Sequence, residues 1–146
     1  MIGIPVVELF VHIDSNLFYN HNSKIKTACL WDTGAAPALI SHKHALAKYA
    51  KIYKNQLQKF KSFDGSLKTE PKKMLDLVLT NPCSGHEVGR LTASVSELNQ
   101  SSFEMIINYE FISKFIINFT DKEIIIMPKS ASEKSHVLQQ VGNMIR

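Results

Sequence analysis

Residues 28–41 read Ala-Cys-Leu-Trp-Asp-Thr-Gly-Ala-Ala-Pro-Ala-Leu-Ile-Ser. An apolar strand runs into a carboxylate, Asp32, and then into a tight turn at Gly34, where glycine adopts backbone geometry that a side chain would forbid. Small Ala35 and Ala36 leave room for a close approach, and Leu39-Ile40 lead the chain back toward a core. An acid set between buried strands is expensive without partners. Asp32 is therefore a candidate working group rather than a solvated one.

Outward from this segment the chain is a series of short strands. Upstream, Ile4–Ile13 is rich in Val, Ile and Phe and reads as a strand. Asp14–Ser23 is full of turn formers and reads as a hairpin loop, with Lys24–Trp31 as the return strand. Downstream, Ser41 is placed to cap a helix over His42–Tyr53, where Leu46, Tyr49, Ala50 and Tyr53 have helical spacing. Phe60–Thr69 reads as two short strands around Asp64-Gly65, a strong hairpin signal. Lys73–Thr80 alternates as a strand, Asn81–Gly85 is a turn cluster, and Val88–Val95 and Phe103–Ile107 are further strands. Asn108–Phe115 reads as a short helix. Ile116–Phe119 and Glu123–Met127 form a last hairpin. Residues 129–146 are polar, a tail or linker with a short helix near its end. Seven to nine short strands with one or two helices predict an all-β domain over residues 1–128, closed as a barrel or sandwich.

Composition narrows the class. The 146 residues are 45% hydrophobic and 21% charged, values of an ordinary globular domain. No run approaches the roughly 20 apolar residues that cross a bilayer. The N-terminal stretch has no basic start and no small-residue cleavage site, so it reads as a strand rather than a secretory signal. Cys29 and Cys83 show neither CxxC nor ligand spacing and read as buried or incidental thiols. The net charge of +4 is local: nine lysines lie between Lys43 and Lys73, against Asp64 and Glu70 alone. Such a block serves a nucleic-acid partner, an acidic substrate or merely a solvated face; the last is the preferred reading. The six histidines are scattered, and His42 and His44 are two apart, on different faces of a helix, so no metal site is expected.

The pattern Asp-Thr-Gly-Ala at 32–35, after an apolar strand, resembles the signature of retropepsin-type aspartic proteases. Three further matches follow in order. Phe63-Asp64-Gly65-Ser66-Leu67 resembles the flap hairpin, Phe103–Phe111 (FEMIINYEF) the apolar strand and short helix, and Ile116–Ile126 (IINFTDKEIII) the closing strand pair. The resemblance spans roughly Val6–Met127 and is similar in particular to proteases of plant pararetroviruses, caulimovirus-like, and of gypsy-type LTR retrotransposons. Two positions depart from the pattern. Asn108 stands where the family usually has glycine, and asparagine tolerates left-handed backbone angles better than most residues. Trp31 replaces a smaller Val or Ile, which implies a rearranged core or a dimer contact.

The resemblance implies a symmetric homodimer, since the chain carries one such motif and the chemistry needs two carboxylates. The two copies of Asp32 would meet on the axis, share a proton and titrate as a unit. One would act as general base on a water and the other would protonate the scissile group. Thr33 would brace the turn across the dimer. Gly34 and Ala35 would line the cleft with backbone groups, beside Ala36. The Phe63, Asp64, Gly65, Ser66 and Leu67 hairpin would fold over an extended polyprotein segment. No cofactor, metal or membrane is implied, and nucleic acid is not expected as a direct partner. The setting implied is the cytoplasm of a host cell or a virus-like particle. Two alternatives stand beside this reading: an inactive retropepsin-like dimerisation or binding module, and a basic nucleic-acid-binding β-domain.

Overall fold

The computed structural model describes residues 4–14, 24–61, 65–98, 101–119, 124–129, 138–140 and 143–145. The strands are β1 (Ile4–Ile13), β2 (Ile25–Trp31), β3 (Ala38–Ser41), β4 (Lys51–Lys61), β5 (Leu67–Thr80), β6 (Glu87–Ser96), β7 (Met105–Ile107), β8 (Phe115–Phe119), β9 (Ile124–Pro128), β10 (Leu138–Gln140) and β11 (Asn143–Ile145). A single helical turn, α1 (Tyr109–Ile112), and a 3-10 turn at Ala47–Tyr49 interrupt them. The main sheet runs β11-β1-β2-β7-β3-β6-β5-β4, and β1 also pairs with β5. That extra pairing, Phe10↔Thr80 through Ile13↔Leu77, closes a six-stranded β-barrel. β10, β9 and β8 form a separate small sheet. The chain is mostly β around a closed barrel, as the spacing of its apolar residues predicts.

Strand alternation fills the barrel. On β1, Val7, Leu9, Val11 and Ile13 are buried, whereas Glu8 on the opposite face is exposed, the period of two that a half-buried strand requires. On β5, Leu75, Leu77 and Leu79 meet them across the closure, with Val11 opposite Leu79. Cys29 and Trp31 from β2, Ile40 from β3, Ala93 and Val95 from β6, and Met105 and Ile107 from β7 complete one core, to which α1 adds Phe111 and Ile112. β7 is the pivot. It runs parallel to β2 and antiparallel to β3, which itself runs parallel to β6.

Three elements differ from the sequence reading. The helix expected over His42–Tyr53 does not form: after a turn and the 3-10 segment the chain is extended from Lys51 onward and pairs with β5. Ser41 ends β3, and its hydroxyl accepts the Lys43 N–H at 3.1 Å, a local turn rather than a helix cap. The strand expected from Lys73 and the short one before it are a single strand, β5, running through Pro71. Proline cannot donate to a ladder, so it is tolerated at irregularities; Pro71 sits where the β4 register shifts between Tyr53 and Leu57. In place of a helix near the end of the tail, 138–140 pair with β9 and 143–145 pair with β1. The expected Asp14–Ser23 hairpin loop lies, after Asp14, outside the described residues as far as Ser23.

Candidate active site

Asp32 follows β2 directly, at the end of the parallel β2–β7 pair where Trp31 lies opposite Ile107. Its backbone is held by that pairing: the Asp32 N–H donates to the Ile107 carbonyl at 3.1 Å. The Ala35 N–H donates to the Asp32 carbonyl at 3.1 Å, and the Gly34 N–H donates to Asp32 Oδ1 at 2.9 Å. One carboxylate oxygen is thus fixed by a backbone dipole. Among the described residues Oδ2 takes no hydrogen bond, which leaves it available to a proton or a water. Asp32 is half-buried, while Thr33, Gly34, Ala36 and Pro37 around it are exposed. Gly34 is needed here for proximity rather than for a left-handed backbone. Only Gly65 and Gly85 have positive φ among the described residues, whereas a Cβ on Gly34 would lie 3.3 Å from Asp32 Oδ1.

The far side of the loop is latched to the start of α1. The Tyr109 N–H donates to the Ala35 carbonyl at 3.2 Å, and Asn108 Nδ2 donates to the Ala36 carbonyl at 3.0 Å. Asn108 has φ −88° and ψ 168°, an extended conformation. The left-handed geometry allowed for at this position is not adopted. The residue works instead through its side-chain amide, a donor a glycine lacks. Trp31 is a core residue, 2% exposed, packed edge-on against Phe111 and Phe115 with ring centroids 5.9 and 5.8 Å away. Of the two roles its bulk allowed, the rearranged core is the one this chain displays.

Phe63 and Asp64, expected in the flap, lie outside the described residues. Gly65 has φ +86°, the left-handed turn geometry expected of the Asp-Gly pair, and Ser66 and Leu67 are exposed beside it. β4 and β5 pair from Lys51↔Met74 out to Lys61↔Leu67, so the hairpin exists and is longer than the two short strands predicted. Ala35 is half-buried and Ala36 exposed in the Asp32 loop. The structure thus brings Asp32, Thr33, Gly34, Ala35 and Ala36 together with Asn108 and Tyr109. The brace expected of Thr33 requires a second chain.

A buried polar pair escaped the sequence reading. His44, 3% exposed, accepts the Leu46 N–H at Nδ1 over 3.1 Å. That contact assigns the proton to Nε2, which lies 2.8 Å from the Thr27 hydroxyl, and Thr27 in turn donates to the Ile25 carbonyl at 3.0 Å. Burial holds the His44 pKa below its ordinary value against an opposing effect of Glu104. No local pattern links His44 to Thr27, 17 positions away. Cys29 is fully buried, with its thiol pKa pushed far up by burial, and Cys83 is exposed; both are free. Among the described residues no three His, Cys, Asp or Glu side chains gather as a metal-holding group, and no helix is long and apolar enough to cross a membrane.

Compared with known proteins, the chain matches no family model and no curated protein.

Proposed function

We propose that this chain is a retropepsin-type aspartic endopeptidase, acting as a symmetric homodimer on an extended segment of a viral or retrotransposon polyprotein. The observation that carries the reading is the Asp32 carboxylate, pinned at one oxygen by the Gly34 N–H and free at the other among the described residues, in an exposed loop at one end of a closed barrel. The ordered matches at Asp32–Ala35, Phe63–Leu67, Phe103–Phe111 and Ile116–Ile126 add sequence support.

In the dimer one Asp32 takes a proton from water as the water attacks the peptide carbonyl. Its twin, which holds the shared proton, gives it to the carbonyl oxygen and later to the leaving nitrogen. Two carboxylates brought together on the dimer axis would not both ionise. The loop bonds to Ile107, Tyr109 and Asn108 keep the carboxylates from swinging apart, and prior positioning of this kind removes a large entropic share of a barrier. The β4–β5 hairpin would close over the peptide and exclude water.

The test is cleavage of an unstructured polyprotein-derived peptide at mildly acid pH, read beside oligomeric state against concentration. Cleavage blocked by pepstatin-like transition-state analogues, lost in Asp32→Asn and rising with the dimer fraction is expected. A folded dimer without cleavage would move the chain to the inactive binding-module reading. A monomer at every concentration, with peptide present, would end the proposal.

A further inference from the structure

The β4–β5 ribbon continues past the β5–β6 pairing, which begins at Met74, and touches the rest of the sheet where Gln58 Nε2 donates to the Val95 carbonyl at 3.2 Å. Every β4 residue from Lys51 to Leu57 is exposed, and β4 is the last strand of its sheet. The ribbon carries Lys51, Lys54 and Lys59, all exposed, and Lys72 and Lys73, half-buried. In the ladder Lys51 lies opposite Met74, Tyr53 opposite Lys72, Ile52 opposite Lys73 and Lys59 opposite Thr69. Residues directly opposite share a face, and faces alternate along a strand. Lys51 and Lys72 are therefore on one face, Lys73 and Lys59 on the other.

None of these five lysines takes an ion pair among the described residues. The ion pairs there join Lys26 to Glu8, and Arg90 to Asp14 and Glu87. Glu70 is the only acid in Lys51–Lys61 and Leu67–Met74. Lysines on an edge strand commonly guard against edge-to-edge aggregation. That explanation does not account for Ile52 and Leu57, 55% and 66% exposed among them, nor for charge on both faces. An acidic strand added along the β4 edge would meet only part of this array. A nucleic-acid groove presents phosphates on both walls, and the B-form major groove admits a two-stranded ribbon.

We propose that the β4–β5 ribbon is a nucleic-acid-binding arm, with Lys51, Lys54, Lys59, Lys72 and Lys73 on the phosphodiester backbone and Tyr53 and Ile52 against sugars or bases. This goes beyond the protease reading, which assigns the tip of the same hairpin to the peptide, and it rests on the ribbon's lysines rather than on the Asp32 loop.

The full chain, as Asp32→Asn, is titrated against fluorescent duplex DNA, duplex RNA and single-stranded oligonucleotides over a range of salt. Log affinity should fall with log salt by about 0.9 per phosphate contact on duplex DNA and about 0.7 on a single strand; the stronger binder identifies the source. K51Q/K54Q/K59Q should weaken binding about tenfold or more and flatten the duplex slope by about 2 to 3. K51R/K54R/K59R should retain it, which separates charge loss from misfolding. K24Q/K114Q/K129Q, an equal charge loss elsewhere, should bind as before. Equal weakening by that control would overturn the proposal. So would the absence of salt-sensitive binding to any of the three, polyglutamate competing as well as the oligonucleotides, or the ribbon variant binding unchanged.

Discussion

Gly89 is a residue whose missing side chain holds a core together. A Cβ there would lie 2.7 Å from Phe111 Cε2 and 3.0 Å from Cζ. The ring cannot retreat, because Phe111 is packed between this strand and the aromatic group of Trp31 and Phe115, with its centroid 5.2 Å from that of Phe115. Overpacking of this kind costs about 1–3 kcal/mol, so Gly89→Ala should lower the unfolding free energy by that amount, read as a lower urea midpoint at an unchanged slope. Trp31 tests the same cluster from the other side. Among the described residues its buried Nε1 has no hydrogen-bond partner, a cost of about 1–3 kcal/mol. Trp31→Phe removes that cost along with volume, so it should destabilise far less than Trp31→Ala, for which about 3–5 kcal/mol is expected; denaturant melts of both variants decide it. Asp32 was legible because its whole signal is local, a carboxylate, a turn and two apolar flanks. Gly89 was not, because what makes it necessary is a ring 22 positions along the chain.

At the scale of elements, the strands with an apolar period of two were legible and the segment after Ser41 was not. Leu46, Tyr49, Ala50 and Tyr53 have helical spacing, yet Ile52 and Tyr53 pair with Lys73 and Lys72. Propensity is a weak prior that pairing overrides. Here the His44 side chain also takes the Leu46 N–H, closing a turn before a helix can start. Asn108 shows the reverse case, a visible residue whose use was hidden. It stood out as a departure from a pattern, but only the fold brings its amide to the Ala36 carbonyl. A single exposed hydrogen bond contributes about 0.5–1.5 kcal/mol, so Asn108→Ala should cost at most that in stability. Its effect on peptide cleavage should be larger in proportion: a several-fold loss in kcat/KM carried mainly by kcat, because the bond fixes the loop rather than the substrate. A change in KM alone would detach Asn108 from the positioning of Asp32.

For the whole molecule, acidity should set the fold against the proposed chemistry. His44 in the folded chain resists protonation because it is buried, and a second proton would point Nδ1–H at the Leu46 N–H. His12 is lowered too, first by burial and then by Lys24, against the opposing Asp14 and Glu87. In the unfolded chain both titrate near the ordinary value of about 6.5. Below that pH the unfolded state therefore binds more protons than the folded one, and stability must rise with pH across the window. The contribution is constant above pH ~6.5 and is lost as pH falls below it, at no more than about 1.4 kcal/mol per pH unit for His44 and less for the more solvated His12. A carboxylate pair sharing a proton works on the acid side, so activity and stability are expected to pull in opposite directions between neutral and mildly acid pH. Urea melts at pH 7 and pH 5 should give a lower midpoint at pH 5. In His44→Gln the pH 7 midpoint should fall, since the buried bridge to Thr27 is disturbed, while the drop between pH 7 and pH 5 should shrink. An unchanged drop in that variant would assign the acid sensitivity to His12 or to the carboxylates instead. Binding of a second chain or of a peptide stabilises only the folded form, so a transition-state analogue should raise the pH 5 midpoint of the wild type but leave that of Asp32→Asn nearly where it was.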